Sequence, residues 1–206
     1  KANEATTLAV KINRIINKSQ VEGPGNRFVI WTQGCPIRCP DCSNKDTWDF
    51  NSGRKIKLSD IIFQIQSTKN IEGITILGGE PFSQSKGLFN LIKSIKGNNL
   101  SIILFTGYTY NYLKENGTYY QKKLLKSSDL LIDGPFIEKE KEFSRPLVGS
   151  NNQNYYFLTK KIKKEDFFKI KNKIEVRLET NGKIRINGMG DVEEIKKIME
   201  SVPISV

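Results

Sequence analysis

The chain has 206 residues, with 33 Lys and Arg against 22 Asp and Glu, and a net charge of +11. With 37% hydrophobic and 27% charged residues this is a globular composition, long enough for one domain with a real core, which excludes disorder as a description of the whole. Its longest apolar runs, such as Ile102 to Phe105 and Leu130 to Ile132, fall far short of the roughly 20 residues of a membrane helix.

Short β-rich runs alternate with helical patterns along the chain. Phe28 to Thr32 reads as a buried strand that ends in Gln33-Gly34, just before the first cysteine. Ser59 or Asp60 is expected to cap a helix carrying Ile61, Ile62 and Ile65 on one face, closed by Gly73. Ile74 to Leu77 is a second strand, stopped by Gly78-Gly79. The next helix, from about Ser85, carries Leu88, Phe89, Leu91, Ile92 and Ile95. Ser101 to Phe105 is a third strand, terminating in Thr106-Gly107-Tyr108. A helix near Tyr110 to Glu115 and another ending near Lys126 lead to strand Leu130 to Ile132, stopped at Asp133-Gly134-Pro135. Strand followed by helix, repeated, implies parallel strands joined by right-handed crossovers.

After Phe136 the pattern changes. Glu138 to Asn154 reads as a polar loop and Tyr155 to Leu158 as one more strand. Ile174 to Glu179, Asn181-Gly182 and Lys183 to Ile186 read as a hairpin with a type I′ turn. Asp191 is placed to cap a last helix with Val192, Ile195 and Ile198 on one face. The Lys-rich tract from Lys160 to Lys173 is interleaved with Ile162, Phe167, Phe168 and Ile170, the spacing of a solvated helix with one buried stripe. It is therefore read as a surface helix rather than a nucleic-acid contact. No repeat, low-complexity tract or long linker divides the chain.

Composition narrows the chemistry. There is no histidine, so zinc sites that need one, Ser-His-Asp triads and His acid–base catalysis are excluded. Three cysteines cannot pair off among themselves, and Lys1 to Val10 lacks the apolar core of a signal peptide; a reducing cytoplasm is the expected location.

In a parallel α/β sheet, function gathers at the carboxyl ends of the strands. The cysteine cluster, Gly78-Gly79-Glu80-Pro81, Thr106-Gly107-Tyr108 and Asp133-Gly134-Pro135 all occupy that rim. Cys35, Cys39 and Cys42 are the only cysteines, spaced C-x3-C-x2-C, with Pro36 and Pro40 restricting the loop. A structural zinc site wants four protein ligands, and a fourth Cys or His does not exist here. A [4Fe–4S] cluster held by three cysteines instead leaves one iron open to a non-protein ligand. The other possibilities are three buried core thiols or half of an intermolecular zinc site.

The C-x3-C-x2-C loop after a strand resembles that of the radical SAM enzymes. The resemblance implies that S-adenosylmethionine chelates the open iron and is reductively cleaved to methionine and a 5′-deoxyadenosyl radical. Val21 to Phe28, containing Gly23-Pro24-Gly25-Asn26-Arg27, followed by Gln33-Gly34-Cys35, is similar to the entry of the glycyl-radical-enzyme activases. Asn44, Thr47 and Trp48 fit the same group. Gly78, Gly79 and Glu80 resemble its GGE motif, implied to hold the SAM ammonium. Thr106-Gly107-Tyr108, Asp133-Gly134 and Gly149 to Gln153 look most like the activators of anaerobic ribonucleotide reductase. The likeness runs from about Val21 to Gln153. Asp41 stands where many radical SAM loops have an aromatic, and Ser43 where some activases have His.

The strand–helix alternation reads as an α/β fold, which the resemblance makes an incomplete (β/α)6 radical SAM partial TIM barrel of roughly six parallel strands; the C-terminal β-hairpin and helix read above exceed what the compact ribonucleotide reductase activators need. One domain, 1–206, is expected, with a core of about 21–158 and an extension of about 159–206. Implied cofactors are a [4Fe–4S] cluster on Cys35, Cys39 and Cys42 and SAM near Gly78, Gly79, Glu80 and Asn44. Thr106 and Asp133 are expected either to bind SAM oxygens or a small cation or to cap strand ends; Asn151, Asn152 and Gln153 are expected to line a substrate channel. Arg27 is expected to pair with an acidic residue or to be structural, and Trp31, Trp48 and Tyr108 to pack. The implied partners are a glycyl-radical enzyme and a low-potential donor such as flavodoxin or ferredoxin, with no membrane. The alternative is a radical SAM enzyme acting on a small molecule, nucleotide or peptide, such as a 7-carboxy-7-deazaguanine synthase.

Overall fold

The computed structural model describes residues 8–190 except 96, 98, 179, 181 and 183, together with residue 197. In chain order the strands are β1 (Ala9–Ser19), β2 (Arg27–Thr32), β3 (Arg54–Lys57), β4 (Gly73–Gly78), β5 (Ser101–Phe105), β6 (Leu130–Asp133), β7 (Asn154–Phe157), β8 (Ile174–Leu178) and β9 (Ile184–Gly188). The α-helices are α1 (Leu58–Ser67), α2 (Ser85–Ile95), α3 (Tyr110–Asn116), α4 (Tyr119–Ser127) and α5 (Lys164–Phe167). One sheet runs β3-β1-β2-β4-β5-β6-β7, and β8 and β9 form a separate hairpin. No helix among the described residues is long and apolar enough to cross a membrane.

The open, partial α/β sheet is the expected class, but its parallel part is shorter than expected. Only β2, β4, β5 and β6 run parallel; β1, β3 and β7 join antiparallel. Connection length explains the β1–β2 pairing. A parallel return needs a crossover of a dozen or more residues, normally a helix, whereas residues 20–26 offer only a tight turn between β1 and β2. β1 itself, and the short β3, escaped sequence reading: Lys11, Asn13, Arg14, Asn17 and Lys18 interrupt the apolar pattern, although Val10, Ile12 and Ile16 are buried.

Each central strand is buried on both faces. Phe28 and Ile30, Ile74 and Ile76, Ile102 and Leu104, and Leu131 pack beneath Leu88, Leu91, Ile92 and Ile95 of α2 and Leu124 and Leu125 of α4. The alternate residues face the other way. Val29 and Trp31 cluster with Ile16 and Leu77, and Ile103, Leu130 and Ile132 with Leu147, Val148, Ile162 and Phe167. Helices thus cover one face, while among the described residues the other, inner face is covered by the loop after β6, by Ile162 and α5, and at the cavity by the β8–β9 hairpin. That asymmetry leaves a cavity above the inner face.

The amino end of the barrel is closed by Arg27, which is fully buried. Its guanidinium donates to Thr75 Oγ1 (2.6 Å), Ser101 Oγ (3.0 Å), Ser101 O (2.8 Å) and Ile74 O (2.8 Å). Burial pulls its pKa down to about 9, against the opposing fields of Asp129 and Glu72. A Cβ on Gly23 would sit 2.5 Å from Arg27 Cδ, so the glycine makes room for this side chain. The Gly-Pro-Gly-x-Arg segment is therefore a plug, and Arg27 is structural.

Other local expectations shift. α1 starts at Leu58 with Lys57 in the capping position and no side-chain cap, so neither Ser59 nor Asp60 caps it. The Lys160 to Lys173 tract yields only the four-residue α5, with Phe167 buried and Phe168 partly exposed. The hairpin forms as expected, Val176 opposite Ile186, with Gly182 at φ +78°. Asn181 and the helix expected after Asp191 lie outside the described residues.

Candidate cofactor site

At the carboxyl rim the cysteine loop is tied down by backbone bonds. Gly34 N–H donates to Thr47 O (2.8 Å) and Cys35 N–H to Trp48 O (3.1 Å). Gln33 Nε2 donates to Asp46 O and Asp49 O, holding the far side of the loop. Gly34 adopts φ +97° and lies directly over the Phe50 ring, where any Cβ would clash. The loop is thus a closed turn on the end of β2 rather than a free excursion.

Backbone amides face the sulfurs: Asn44 N–H donates to Cys42 at 3.4 Å, and the amides of Ile37 and Arg38 near Cys35 and of Phe136 near Cys39 favour the thiolate form. Such donors suit thiolates. Burial pushes the Cys35 and Cys39 thiols up, with the N–H donors opposing it. Among the described residues no three His, Cys, Asp or Glu side chains enclose a single metal ion. A cubane takes each thiolate on a different iron, and so asks only that the three thiols face one space.

They do. Cys35, Cys39 and Cys42 line one cavity of about 720 Å³, together with Asn44, Gly78, Gly79, Glu80 and Thr106. Gly79 N–H donates to Thr32 O and Glu80 N–H to Gly34 O, both 2.9 Å, so the ends of β2 and β4 are laced together. A Cβ on Gly79 would lie 2.5 Å from Gly34 O. Gly is required here because two backbones approach within hydrogen-bond distance.

Glu80 is fully buried. Its carboxylate accepts from Phe82 N–H (2.9 Å), Gly107 N–H (2.9 Å) and Thr106 Oγ1, which lies 3.0 Å from both oxygens. Burial pushes its pKa up to about 7 despite these three donors. An ionised carboxylate has about four acceptor sites, so one remains for a further donor. Asn44 Oδ1 accepts from Arg14 (3.1 Å), and the Arg14 guanidinium lies 4.3 Å over the Trp31 ring, which also lines the cavity.

Some predicted residues are placed elsewhere. Asp133 is buried outside the cavity wall: Oδ2 accepts from Tyr110 N–H at the start of α3 (2.6 Å), and Oδ1 from Asn154 N–H (3.2 Å). It acts as a strand-end cap. Asn151 donates its N–H to Glu140 O, and Asn152 Nδ2 donates to Pro135 O (2.7 Å); neither lines the cavity. Gln153 does line it, but its amide organises the loop, accepting from Gly149 N–H and donating to Gly134 O.

Sequence reading missed Arg14, Glu22 and Asn187, all at the cavity wall, and took Trp31 and Trp48 for packing. No local signal marks any of the three: a register shift in β1 between Ile12 and Arg14 breaks the alternation that would place Arg14, and Glu22 and Asn187 lie in a turn and a hairpin. Two buried wall atoms have no hydrogen-bond partner: the donor Trp48 Nε1 and the acceptor Asn187 Oδ1. The three N–H-supported thiols, the free acceptor capacity at Glu80 and these orphaned atoms fit a cluster with a polar organic ligand beside it.

Residues 21–156 match the model of a family described as a 4Fe-4S single cluster domain. The anaerobic ribonucleoside-triphosphate reductase-activating protein of Enterobacteria phage T4 is 30% identical over 160 residues, 75% of this chain and 98% of that protein. The pyruvate formate-lyase-activating enzyme of Staphylococcus epidermidis is 28% identical over 160 residues, 73% of this chain and 62% of that one. Among solved structures, QueE from Escherichia coli aligns with a TM-score of 0.46 and 19% identity, covering 53% of this chain and 58% of that one.

Proposed function

The chain belongs to the 4Fe-4S single-cluster family of radical SAM activases, and from that premise we propose that it installs a glycyl radical on an anaerobic ribonucleotide reductase. The observation that supports this reading is that the three thiols and Gly78-Gly79-Glu80, which lie at the ends of different strands, face one cavity.

In this proposal Cys35, Cys39 and Cys42 hold the [4Fe–4S] cluster, and the N–H groups of Ile37, Arg38, Phe136 and Asn44 stabilise their thiolates. Bound together, cluster and SAM supply the one-electron chemistry that turns the sulfonium into a hydrogen-atom abstractor, the hard step being the cofactors' own. Glu80 offers its remaining acceptor site to the ammonium of SAM, and Thr106 fixes the carboxylate that does so. Gly78 and Gly79 keep the backbone low enough for the methionyl group to lie against it. Trp31, Leu77 and Phe105 give the cavity an apolar floor that excludes water from the reacting centre. Gln153 holds the loop at the cavity's edge; Asn151 and Asn152 act only through that loop's shape. The core, about 21–158, and the extension, about 159–206, work as one unit, since the hairpin completes the cavity wall. The reducing electron comes from a flavodoxin or ferredoxin.

The test is anaerobic reconstitution with iron and sulfide, followed by SAM, reductant and the anaerobic ribonucleotide reductase of the same genome. A glycyl doublet in the EPR spectrum is expected. Brisk SAM cleavage with no doublet would transfer the assignment to a small-molecule or nucleotide substrate.

A further inference from the structure

The cavity has a wall that the family's own stretch, residues 21–156, does not reach. It is the β8–β9 hairpin, which contributes Ile186, Asn187, Gly188 and Met189. The hairpin is fastened to β1 and the following turn. Ser19 Oγ donates to Glu175 Oε2 (2.9 Å), Gly188 N–H to Glu22 Oε1 (2.9 Å), and Arg177 to Lys18 O (2.6 Å). Asn187 Nδ2 donates to Ser19 Oγ (3.2 Å) and Glu22 Oε1 (3.4 Å).

Asn187 is only 6% exposed, and its Oδ1 has no partner. Reversing the amide would not relieve this, because Oδ1 would then face Glu22 Oε1, the oxygen that already accepts from Gly188 N–H, and Ser19 Oγ, whose proton goes to Glu175. A buried acceptor left unmade costs more than a made bond contributes, so this atom calls for a donor from whatever enters the cavity. Because Oδ1 is an acceptor, the group that meets it is an N–H or O–H donor.

Outside the mouth the same hairpin carries an apolar strip. Val176 lies opposite Ile186 and Leu178 opposite Ile184, and all four are exposed, Leu178 at 79%. Ile186 belongs both to this strip and to the cavity lining. A small molecule inside the cavity would leave the strip in water; a polypeptide entering past it would cover it.

Resting on the activase reading above, we propose that the hairpin is the partner-reading wall of this protein, and that Asn187 Oδ1 accepts a main-chain N–H of the glycine-bearing loop. Asn187 is a substrate-positioning residue added by the C-terminal extension.

The experiment uses the reconstituted full-length holoenzyme with SAM and reductant. The probe is a heptapeptide blocked at both ends, with an α-dideuterated central glycine, read by deuterium transfer into 5′-deoxyadenosine. A matched series replaces one main-chain N–H at a time with an ester oxygen. One ester is expected to raise KM roughly tenfold while kcat holds, the effect of losing one bond to a buried acceptor; in Asn187→Ala that penalty disappears. If no ester is singled out, or if Asn187→Ala keeps the same penalty, the proposal is overturned. Should Asn187→Ala fail to load iron, the ester series on the unaltered protein decides by itself: one penalised position supports the proposal and a flat series overturns it. SAM cleavage without deuterium transfer from any peptide also overturns it but leaves the radical chemistry standing; no SAM cleavage at all takes down both.

Discussion

The Thr106 hydroxyl lies 3.0 Å from each carboxylate oxygen of Glu80, so one side-chain contact closes the end of β5 onto the end of β4. Both residues are buried, and the same hydroxyl accepts from Tyr108 N–H at 3.1 Å. Thr106→Val keeps the shape but leaves the carboxylate with backbone donors alone and the Tyr108 N–H unpaired. A loss of about 1–3 kcal/mol is expected in chemical denaturation at neutral pH. An unchanged midpoint would show that the contact is idle.

Glu22 gives a pH-dependent prediction. Burial raises its carboxyl from 4.5 to about 7 in the folded chain. The folded state therefore holds a proton that the unfolded state releases, and the cost of ionisation grows from about pH 4.5 and levels off above about pH 7. Glu22→Gln retains an acceptor for Gly188 N–H while removing that cost. The variant is expected to be more stable than the parent at pH 8, on the order of 2 kcal/mol, and little different at pH 4.5. Thermal melts of the two proteins across this range check the sign.

The cysteine loop is attached to the barrel but is not part of its core. Single Cys39→Ala or Cys42→Ala variants are expected to keep the far-UV circular dichroism of the parent while losing nearly all bound iron after reconstitution. Iron analysis and the visible absorption of the cluster measure the effect. Full iron content in either variant would remove that cysteine from the ligand set.

Gly79 lies where two backbones meet. Because an added Cβ would stand 2.5 Å from Gly34 O and 3.0 Å from Thr47 O, Gly79→Ala must push the cysteine loop away from β4. A loss of about 1–3 kcal/mol and poorer iron loading are expected. Gly97→Ala, with nothing within 4 Å of the new methyl, is the control and should be near neutral.

Arg27 is the least replaceable side chain of the amino end. Arg27→Met would fill part of its volume but remove the buried donors to Thr75 Oγ1, Ser101 Oγ and the carbonyls of Ile74 and Ser101, leaving the two hydroxyls with only their own donations to Glu22 O and Glu72 O. More than about 3 kcal/mol should be lost, seen as a large drop in denaturation midpoint or as insoluble expression. A midpoint near that of the parent would mean that water replaces the guanidinium.

Legibility in the sequence followed the range of the interactions. The central strands and α2 were readable because a two-sided sheet and an amphipathic helix leave continuous or periodic apolar patterns. β1 was not, because half its residues are polar and a register shift at Ile12 to Arg14 breaks its alternation. Asp133 looked like a rim carboxylate, since a strand-end acid can turn toward the cavity or toward the next helix. Tyr110 N–H at the start of α3 took it.

By itself the sequence determined the chemistry available: three clustered thiols, no fourth ligand, no histidine, and a glycine-rich strand end beside them. These are properties of residue type and short spacing, fixed by covalent order. Only the tertiary structure decided which groups share the cavity with those thiols. Arg14 from β1, Glu22 from the turn after it and Asn187 from a hairpin more than 160 residues on meet there because β1 pairs beside β2 and the hairpin anchors on Ser19 and Glu22. Burial at that meeting point raises the Glu22 pKa and leaves Asn187 Oδ1 unpaired, and burial is a property of the packed chain that no local pattern encodes.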